Sequence, residues 1–363
     1  MLMDSLIATT ENCRYCLMCR HAAPVGHVTH NETLTPHGIA LVVAMQRRGL
    51  LQWNESTLRV LYAEPDSGNC RAHCVTDQPL PAAIAAVRAQ VAADGLAPPA
   101  AYEIRNRMRS THSAFGEHLP SSGSGETALF VGDEAHNLWL QAENAALRLV
   151  TATGEAAVPV GIGLSSGYLA CSLGFPELAR EQAEKCIAEI RATGAHKVLV
   201  LSPQELFAFT TMYRERLGIT WPKDIEVVDL ACFLADACEA GKLTVQQSSA
   251  DAPAAGTYVD PTHAVRAPGR FDAVRTLCSL ALGCPPSELF WRRKRAHPVG
   301  STALQFTRPD IAARLTRARL EDARKQGTKT LICEDPATLH ALRQHAEGIR
   351  VIGLYETLAD HLE

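Results

Sequence analysis

Three cysteines within seven residues constrain this chain more than any other feature of its sequence. They are Cys13, Cys16 and Cys19, in the run C-R-Y-C-L-M-C. The spacing C-x2-C-x2-C places three thiolates on one short loop. That arrangement suits an iron–sulfur cubane better than structural zinc, which favours separate C-x2-C pairs. The loop therefore predicts a metal centre that needs a fourth ligand.

The fourth ligand is predicted from a second pair of cysteines, Cys70 and Cys74. In the two-cluster ferredoxin pattern C-x2-C-x2-C-x3-C-P, the fourth cysteine of each run binds the cluster of the other run. On that pattern one cluster takes Cys13, Cys16, Cys19 and Cys74, all of which are present. We expect one [4Fe–4S] cluster on these four residues.

The same pattern places a second cluster on four positions, three of which have lost their cysteines. Those positions hold Ala23, Glu64, Ser67 and Cys70. Because three losses fall on one site and none on the other, we expect the second site to hold no cluster. Cys70 is then an unused core thiol, although it stays open as an alternative ligand. Zinc on the same four thiolates as the predicted cluster is the other open interpretation.

The two cysteine runs resemble the α-helical ferredoxin domain of a known family. Its members are heterodisulfide reductase subunits and the iron–sulfur subunits of succinate dehydrogenase, glycerol-3-phosphate dehydrogenase and glycolate oxidase. The resemblance implies a helical N-terminal domain with an electron-transfer role. Helical periodicity at 39–47 and 81–93 favours such a domain independently, and strand-like alternation is confined to 58–61.

Low-complexity stretches divide the chain. Residues 92–101 and 118–125 are rich in Pro, Gly, Ser and Ala and flank a predicted linker, and 246–256 is a further joint. The predicted domains are a helical domain at 1–100, a linker at 101–125, and two modules at 126–245 and 257–363.

Both modules alternate short apolar runs with amphipathic stretches, which favours α/β structure with parallel sheets. Their shared order of elements indicates an internal duplication. The predicted strands are 128–131, 158–160, 197–201 and 225–228, then 257–259, 328–332 and 349–352. The predicted helices are 177–193 and 205–217, then 271–282, 310–326 and 336–346. The predicted fold class is α+β and α/β, an N-terminal α-helical ferredoxin-like domain followed by two tandem α/β modules with parallel sheets.

The modules resemble the CCG domains of the same family, with the cysteine ligands replaced. Serine, threonine and aspartate do not substitute for thiolates around iron at such a site. The resemblance therefore implies degenerate CCG domains without the family's heterodisulfide-reducing centres. The matching segments are 129–133, Ser165-Ser166-Gly167, S-P-Q-E at 202–205, Asp260-Pro261-Thr262-His263 with Arg266, His297-Pro298, and 335–338 with Cys333 as an alternative relic.

Composition excludes several function classes. With 35 basic and 39 acidic residues, and no basic run longer than 292–295, the chain offers no duplex-binding surface. The longest apolar run, 39–45, is far short of the ~20 residues that span a bilayer, and the N-terminus lacks a signal pattern. Twelve cysteines are too sparse for a secreted disulfide scaffold. We expect a cytoplasmic protein with no nucleic-acid partner and no transmembrane segment.

The expected function is one-electron transfer, without catalytic residues. By the resemblance, the partners are a flavin-dependent dehydrogenase or demethylase subunit and an acceptor such as an electron-transfer flavoprotein or the quinone pool, in a hetero-oligomeric complex. One alternative is an oxidoreductase with its own site in the vacated CCG crevice near Ser165, Ser202 and Asp260. A structural zinc-binding subunit is the other.

Two further patterns bear on those alternatives. The segment from Gly161 through Gly163 to Gly167 follows a predicted strand and could cradle a nucleotide phosphate, although its third glycine is one position late for the usual fingerprint. Asp260 and His263 could form an acid/base pair on one loop. The simpler interpretations are a degenerate CCG turn and inherited scaffold positions.

Four histidines, at positions 21, 27, 30 and 37, crowd the segment after the first cysteine run. Near a cluster, imidazoles can donate hydrogen bonds to sulfur or relay protons. The plainer prediction is a polar loop packed over the cluster.

Overall fold

Residues 2–246 and 256–362 are described by the computed structural model. Nearly all of the joint predicted at 246–256 lies outside the described residues. The N-terminal part is helical, with additional 3₁₀ turns at Thr9–Asn12, Arg20–Ala22 and Glu32–Leu34. Its helices are α1 Leu2–Ala8, α2 Pro24–Thr29, α3 Pro36–Arg47, α4 Glu55–Leu61, α5 Asn69–Ala72, α6 Leu80–Ala93 and α7 Pro99–Thr111.

Local signals explain several of these helices. Proline begins α2, α3 and α7, because its missing N–H costs nothing in the first turn and its φ is already helical. The strand-like residues 58–61 belong instead to α4, which a capping box between Asn54 and Thr57 starts. The segment expected to be a linker, 101–125, contains most of α7.

The first module is built on a parallel sheet with strand order β2-β1-β3-β4. Every predicted strand of this module is present within two residues of its predicted bounds. The elements are β1 Thr127–Val131, α8 Gly132–Leu138, α9 Leu140–Ala152, β2 Ala157–Ile162, α10 Tyr168–Leu173, α11 Pro176–Ala192, β3 Lys197–Val200, α12 Pro203–Phe207, the π-helix Ala208–Leu217, β4 Glu226–Asp229 and α13 Leu230–Glu239.

The second module repeats that topology with strand order β6-β5-β7-β8. The two parallel sheets confirm the predicted α/β fold class. The elements are β5 Thr257–Tyr258, α14 Phe271–Leu282, β6 Ser287–Glu288, α15 Leu304–Thr307, α16 Pro309–Lys325, β7 Thr330–Cys333, α17 Pro336–Arg343, β8 Arg350–Gly353 and α18 Leu354–Ala359, with 3₁₀ turns at Ala264–Arg266, Pro268–Arg270 and Arg293–Arg295.

The first sheet lies between two hydrophobic cores. Alternate residues of a strand point to opposite faces. Accordingly Ala128 and Phe130 pack in a core shared with the N-terminal helices, whereas Leu129 and Val131 pack in a core shared with the second module. Burial on both faces explains why residues 128–131 of β1 form a continuous apolar run.

Across residues 2–246 and 256–362, every helix falls short of the length and apolarity that a membrane span requires.

Candidate metal centre

The cysteines of both runs line one cavity in the helical part of the protein. Cys13, Cys16 and Cys19 lie on the loop after α1, and Cys74 follows α5. Together with Cys70 they border a void of about 540 Å³, including the part that is open to solvent. The structure thus brings together the four residues that the spacing predicted as ligands.

The thiols lie close enough to affect each other's ionisation. Burial raises the pKa of Cys13, and neighbouring Cys74 and Cys16 raise it further. Burial likewise raises the pKa of Cys19 to about 11, with smaller contributions from Cys13 and Cys74. A metal that binds here must therefore displace protons from these thiols.

Cys74 differs from Cys13 and Cys19 because the hydrogen bonds to its sulfur outweigh the effect of burial on its pKa. Burial alone would raise its pKa, but the side chain of Thr76 and the backbone N–H of Gln78 outweigh burial and lower it. Gln78 N donates to Cys74 Sγ at 3.4 Å, and Thr76 Oγ1 lies at the same distance. Such contacts to ligand sulfur also tune metal sites.

The first cysteine loop has an unusual backbone. Tyr15 lies between Cys13 and Cys16, and Leu17 lies between Cys16 and Cys19. These two residues adopt positive φ angles of 48° and 62°. A left-handed conformation costs a residue with a Cβ roughly 1–2 kcal/mol. Strain of this kind concentrates at functional sites, where the surrounding structure maintains it. The two left-handed residues therefore mark this loop as a candidate functional segment.

Among the described residues, no group of three or more His, Cys, Asp or Glu side chains is placed to hold a single metal ion. A structural zinc site needs four ligands around one ion. This finding supports neither a zinc ion nor an iron–sulfur cluster, so the preference for a cluster rests on the cysteine spacing.

The positions of the predicted second cluster also converge. Ala23, Glu64, Ser67 and Cys70 line a smaller cavity of about 260 Å³, again including its open part. Cys70 lies between the two cavities and lines both. The four positions that the two-cluster pattern assigns to its second site therefore lie together, with one thiol among them.

The segment that would have carried the second cluster joins three parts of the protein. The buried carboxylate of Asp66 accepts two hydrogen bonds at 2.8 Å from Arg216 of the first module and one at 2.6 Å from Arg266 of the second. Burial alone would raise its pKa, but the two guanidinium groups hold it well below the usual range. Asn69 donates to the backbone oxygen of Ala296 at 2.6 Å. We call these contacts the Asp66 junction.

Glu64 lies beside this junction and forms no ion pair within the described part of the chain, although the charges of Arg88 and Arg266 act on it. Burial raises its pKa to about 7, and the neighbouring carboxylate of Asp66 raises it further. Arg88 binds this segment through the backbone oxygen of Glu64 at 2.8 Å and also donates to Ser172 O at 2.9 Å. A carboxyl group that titrates near neutral pH thus occupies a position where the two-cluster pattern has a cysteine.

The crevice expected between the degenerate CCG motifs is filled by protein. Ser165, Ser202 and Asp260 are at most 5% exposed. Ser202 donates its hydroxyl to Glu205, and Asp260 accepts from Arg275 at 2.9 Å. These side chains are engaged with neighbours, so they do not favour a substrate site at this place.

Sequence analysis missed a buried acidic cluster at the carboxyl ends of the strands. It consists of Asp133, Glu134, Glu205 and Asp335, none of which forms an ion pair within the described residues. Burial raises the pKa of Asp133 to about 6 and that of Glu205 to about 8. The acidic residues just after β1 (Asp133, Glu134) and after β7 (Glu334, Asp335) were the available signal for an acidic cluster. The sequence alone does not show that these side chains are buried.

The glycines of the candidate nucleotide loop are required by chain packing. A Cβ on Gly163 would lie 2.1 Å from the backbone oxygen of Glu117, and one on Gly167 would lie 2.6 Å from that of Ala179. Both glycines also have positive φ angles, 72° and 82°. Their space is taken by backbone, which favours the interpretation as a structural turn.

Asp260 and His263 do not pair with each other. Arg266 binds His263 Nδ1 at 2.9 Å, and the imidazole stacks on Phe207 with ring centroids 5.9 Å apart. Burial, followed by the charge of Arg266, lowers the pKa of His263 far below its usual value. The two residues therefore act as scaffold rather than as an acid/base pair.

The histidines after the first cysteine run border the cysteine cavity on one side. His37 lines the cysteine cavity. His21, His27 and His30 line the adjacent cleft, together with Leu17 of the cysteine loop. This placement agrees with a polar segment packed beside the site.

One solved structure is similar to this chain over most of its length. It is the crystal structure of a hypothetical protein from Helicobacter pylori, with a TM-score of 0.59 and 12% sequence identity, covering 90% of this chain and 68% of that one. At this identity the likeness shows the fold alone. No protein-family model and no curated protein matches the sequence.

Proposed function

We propose that the protein is an electron-transfer protein that carries one [4Fe–4S] cluster on Cys13, Cys16, Cys19 and Cys74. The observation that carries this proposal is that these four thiols, from two distant runs, line one cavity. A bound cluster would supply a store for one electron at a time.

The chain's own residues fit that role in three ways. The strained loop at Tyr15 and Leu17 directs three cysteines into one cavity. The hydrogen bond from Gln78 N favours the thiolate form of Cys74. Cys16 is exposed, so the site reaches the surface, where an electron can be exchanged with another protein.

Cys70, which the proposed cluster does not use, has a different environment. Its thiol is buried, and burial raises its pKa well above the usual value. Glu64 beside it raises the pKa further. We infer that Cys70 stays a protonated core thiol, although it borders the same cavity.

On this proposal the chain serves a complex of the kind that its family resemblance implies. The donor would be a flavin-dependent dehydrogenase or demethylase subunit, and the acceptor an electron-transfer flavoprotein or the quinone pool. The α/β modules would act as degenerate CCG domains that provide surface and shape. All twelve cysteines are free, which fits the reducing cytoplasm.

The test is anaerobic purification with iron and sulfide analysis and electron paramagnetic resonance after reduction. We expect about four iron and about four sulfide per chain and the spectrum of one reduced cubane. About eight iron would show that the second site is occupied, and a colourless zinc protein would refute the proposal.

Two matched variants test the ligand set. Cys74→Ser should lose most of the iron, because it removes a ligand, whereas Cys70→Ser should keep it. Circular dichroism of both variants controls for folding. Equal iron content in the two variants would contradict the assignment of Cys74 as the fourth ligand.

A further inference from the structure

A basic and aromatic surface extends from the cysteine loop to the second module. It begins at Tyr15, Leu17 and Met18, which are 39%, 44% and 46% exposed. It ends at residues 290–295, whose sequence is F-W-R-R-K-R. We call this surface the docking face.

The two ends of the docking face are joined by the histidine cleft. Leu17, His21 and His27 line this cleft. The ring of His27 packs on Trp291, with centroids 5.0 Å apart. The turn at Arg293–Arg295 also contacts α5, the helix that carries Cys70. The basic segment therefore lies beside the metal centre although it is far away in sequence.

The charge of the segment is largely uncompensated. Of its four cations at 292–295, only Arg293 forms an ion pair within the described part of the chain, with Asp272 at 2.8 Å. Phe290 beside them is 59% exposed. Arginine and aromatic side chains are enriched where proteins bind each other. In a chain with a net charge of −4, this concentration of positive charge is a local exception.

Building on the proposed electron-transfer function, we propose that the docking face binds an acidic one-electron carrier protein. Complementary charge steers such partners together and raises association rates about 10–10³-fold at low salt. The exposed aliphatic side chains of the cysteine loop give the partner an apolar contact directly over the site. A nucleic acid would use the cations but leave those side chains uncovered, so the surface favours a protein.

The test measures electron transfer by stopped flow to two one-electron acceptors of opposite charge. The reduced protein is mixed with acidic plastocyanin, whose copper(II) gains the electron and becomes copper(I), or with basic cytochrome c, whose haem iron(III) becomes iron(II). No proton or bond is exchanged. We expect the plastocyanin rate to fall as salt is added and the cytochrome c rate to rise or stay unchanged.

Charge reversal gives the decisive comparison. The triple variant Arg292→Glu, Lys294→Glu, Arg295→Glu should slow transfer to plastocyanin about tenfold at low salt, and transfer to cytochrome c should not slow. The matched control is Arg324→Glu, Lys325→Glu, Lys329→Glu, which makes the same charge change at exposed residues where α16 ends and the chain turns into β7. It should leave the plastocyanin rate within about twofold of the wild type. Equal iron content shows that both variants retain the metal centre.

The outcomes separate this inference from the proposed function. If the reduced wild-type protein transfers electrons to both acceptors but charge reversal at 292–295 changes nothing, the docking face is refuted and electron transfer stands. If the wild-type protein transfers electrons to neither acceptor, the proposed function itself is wrong. If a labelled single-stranded oligonucleotide binds the segment at physiological salt and charge reversal abolishes that binding, the surface belongs to a nucleic acid and the inference is overturned.

Discussion

Replacing Glu205 by glutamine should stabilise the protein at alkaline pH and have little effect at acidic pH. Glu205 is 1% exposed, and the side chains of Ser202 and Gln204 donate to it. The charged residues that act on its pKa are other acids, Asp133 and Asp335. A glutamine has the shape of the protonated acid and cannot ionise, so the variant imitates the form that the folded protein prefers.

The magnitude follows from the pKa of this carboxyl group. Burial raises it to about 8 from the ordinary 4.5 of a glutamate. A group whose pKa is raised on folding stabilises the protein fully below its unfolded pKa, and that stability is lost as the pH rises through the folded pKa. At about 1.4 kcal/mol per pKa unit, the wild-type protein should lose on the order of 3 kcal/mol between about pH 5 and about pH 8 through this residue alone.

The assay is urea unfolding at both pH values, followed by tryptophan fluorescence. The four tryptophans of the chain, among them the buried Trp139, report on unfolding of the protein. The difference between Glu205→Gln and the wild type should grow by on the order of 3 kcal/mol from about pH 5 to about pH 8 at an unchanged denaturant slope. As the contrasting control, Asp229→Asn removes a carboxylate that binds Arg270 at 3.0 Å, and it should destabilise the protein at both pH values.

Parallel pH dependence in the wild type and Glu205→Gln would refute the reasoning. It would mean that Glu205 ionises in the folded state as readily as in the unfolded state. A cation partner or solvent would then have to reach the carboxyl group.

Three other substitutions test the structure elsewhere. Asp66→Asn should cost about 3–5 kcal/mol in urea unfolding, because two buried guanidinium groups lose their carboxylate; an unchanged midpoint would contradict the Asp66 junction. Gly163→Ala should lower the free energy of unfolding by about 1–3 kcal/mol more than Gly194→Ala does. Both glycines have positive φ, but only the Cβ at position 163 would strike backbone, at 2.1 Å from Glu117 O. Equal losses of stability would show that the backbone around Gly163 moves to make room. Tyr15→Gly should stabilise the metal-free protein by about 1 kcal/mol in the same assay, by relieving a left-handed residue; a loss of stability would locate the strain elsewhere.

Spacing rules predicted which cysteines line the candidate metal site. The intervals between Cys13, Cys16 and Cys19 are short enough that one loop fixes all three thiols. The ferredoxin pattern then supplied Cys74, and the structure places it at the same cavity. The pattern also named the positions that line the smaller cavity, although most of them no longer carry sulfur.

Short or weakly patterned elements escaped sequence analysis. Strand β6 has two residues, too few for any periodicity to show. Helix α7 did carry a signal, a proline at its first turn and buried Ala101, Ile104 and Met108 on one face. The Pro/Ala-rich composition of 92–101 masked that signal, and the segment was expected to be part of a linker.

Long-range electrostatics could not be predicted at all. Asp66 meets partners 150 and 200 residues away, and nothing in the local sequence marks an aspartate for that contact. The acidic cluster around Glu205 is equally invisible, because acids after strands are usually solvated. Only the fold, which packs the two modules together, makes these groups buried neighbours.

The Asp66 junction also limits when the N-terminal helices can finish folding during synthesis. The cysteine runs leave the ribosome early, but Arg216, Arg266 and the backbone of Ala296 emerge much later. Until then Asp66 lacks the guanidinium groups of Arg216 and Arg266, and its carboxylate must remain solvated. The N-terminal helices therefore cannot close around it as a free-standing unit, and a chain that stops before the first module leaves this carboxylate, which is 1% exposed in the complete fold, without either guanidinium group.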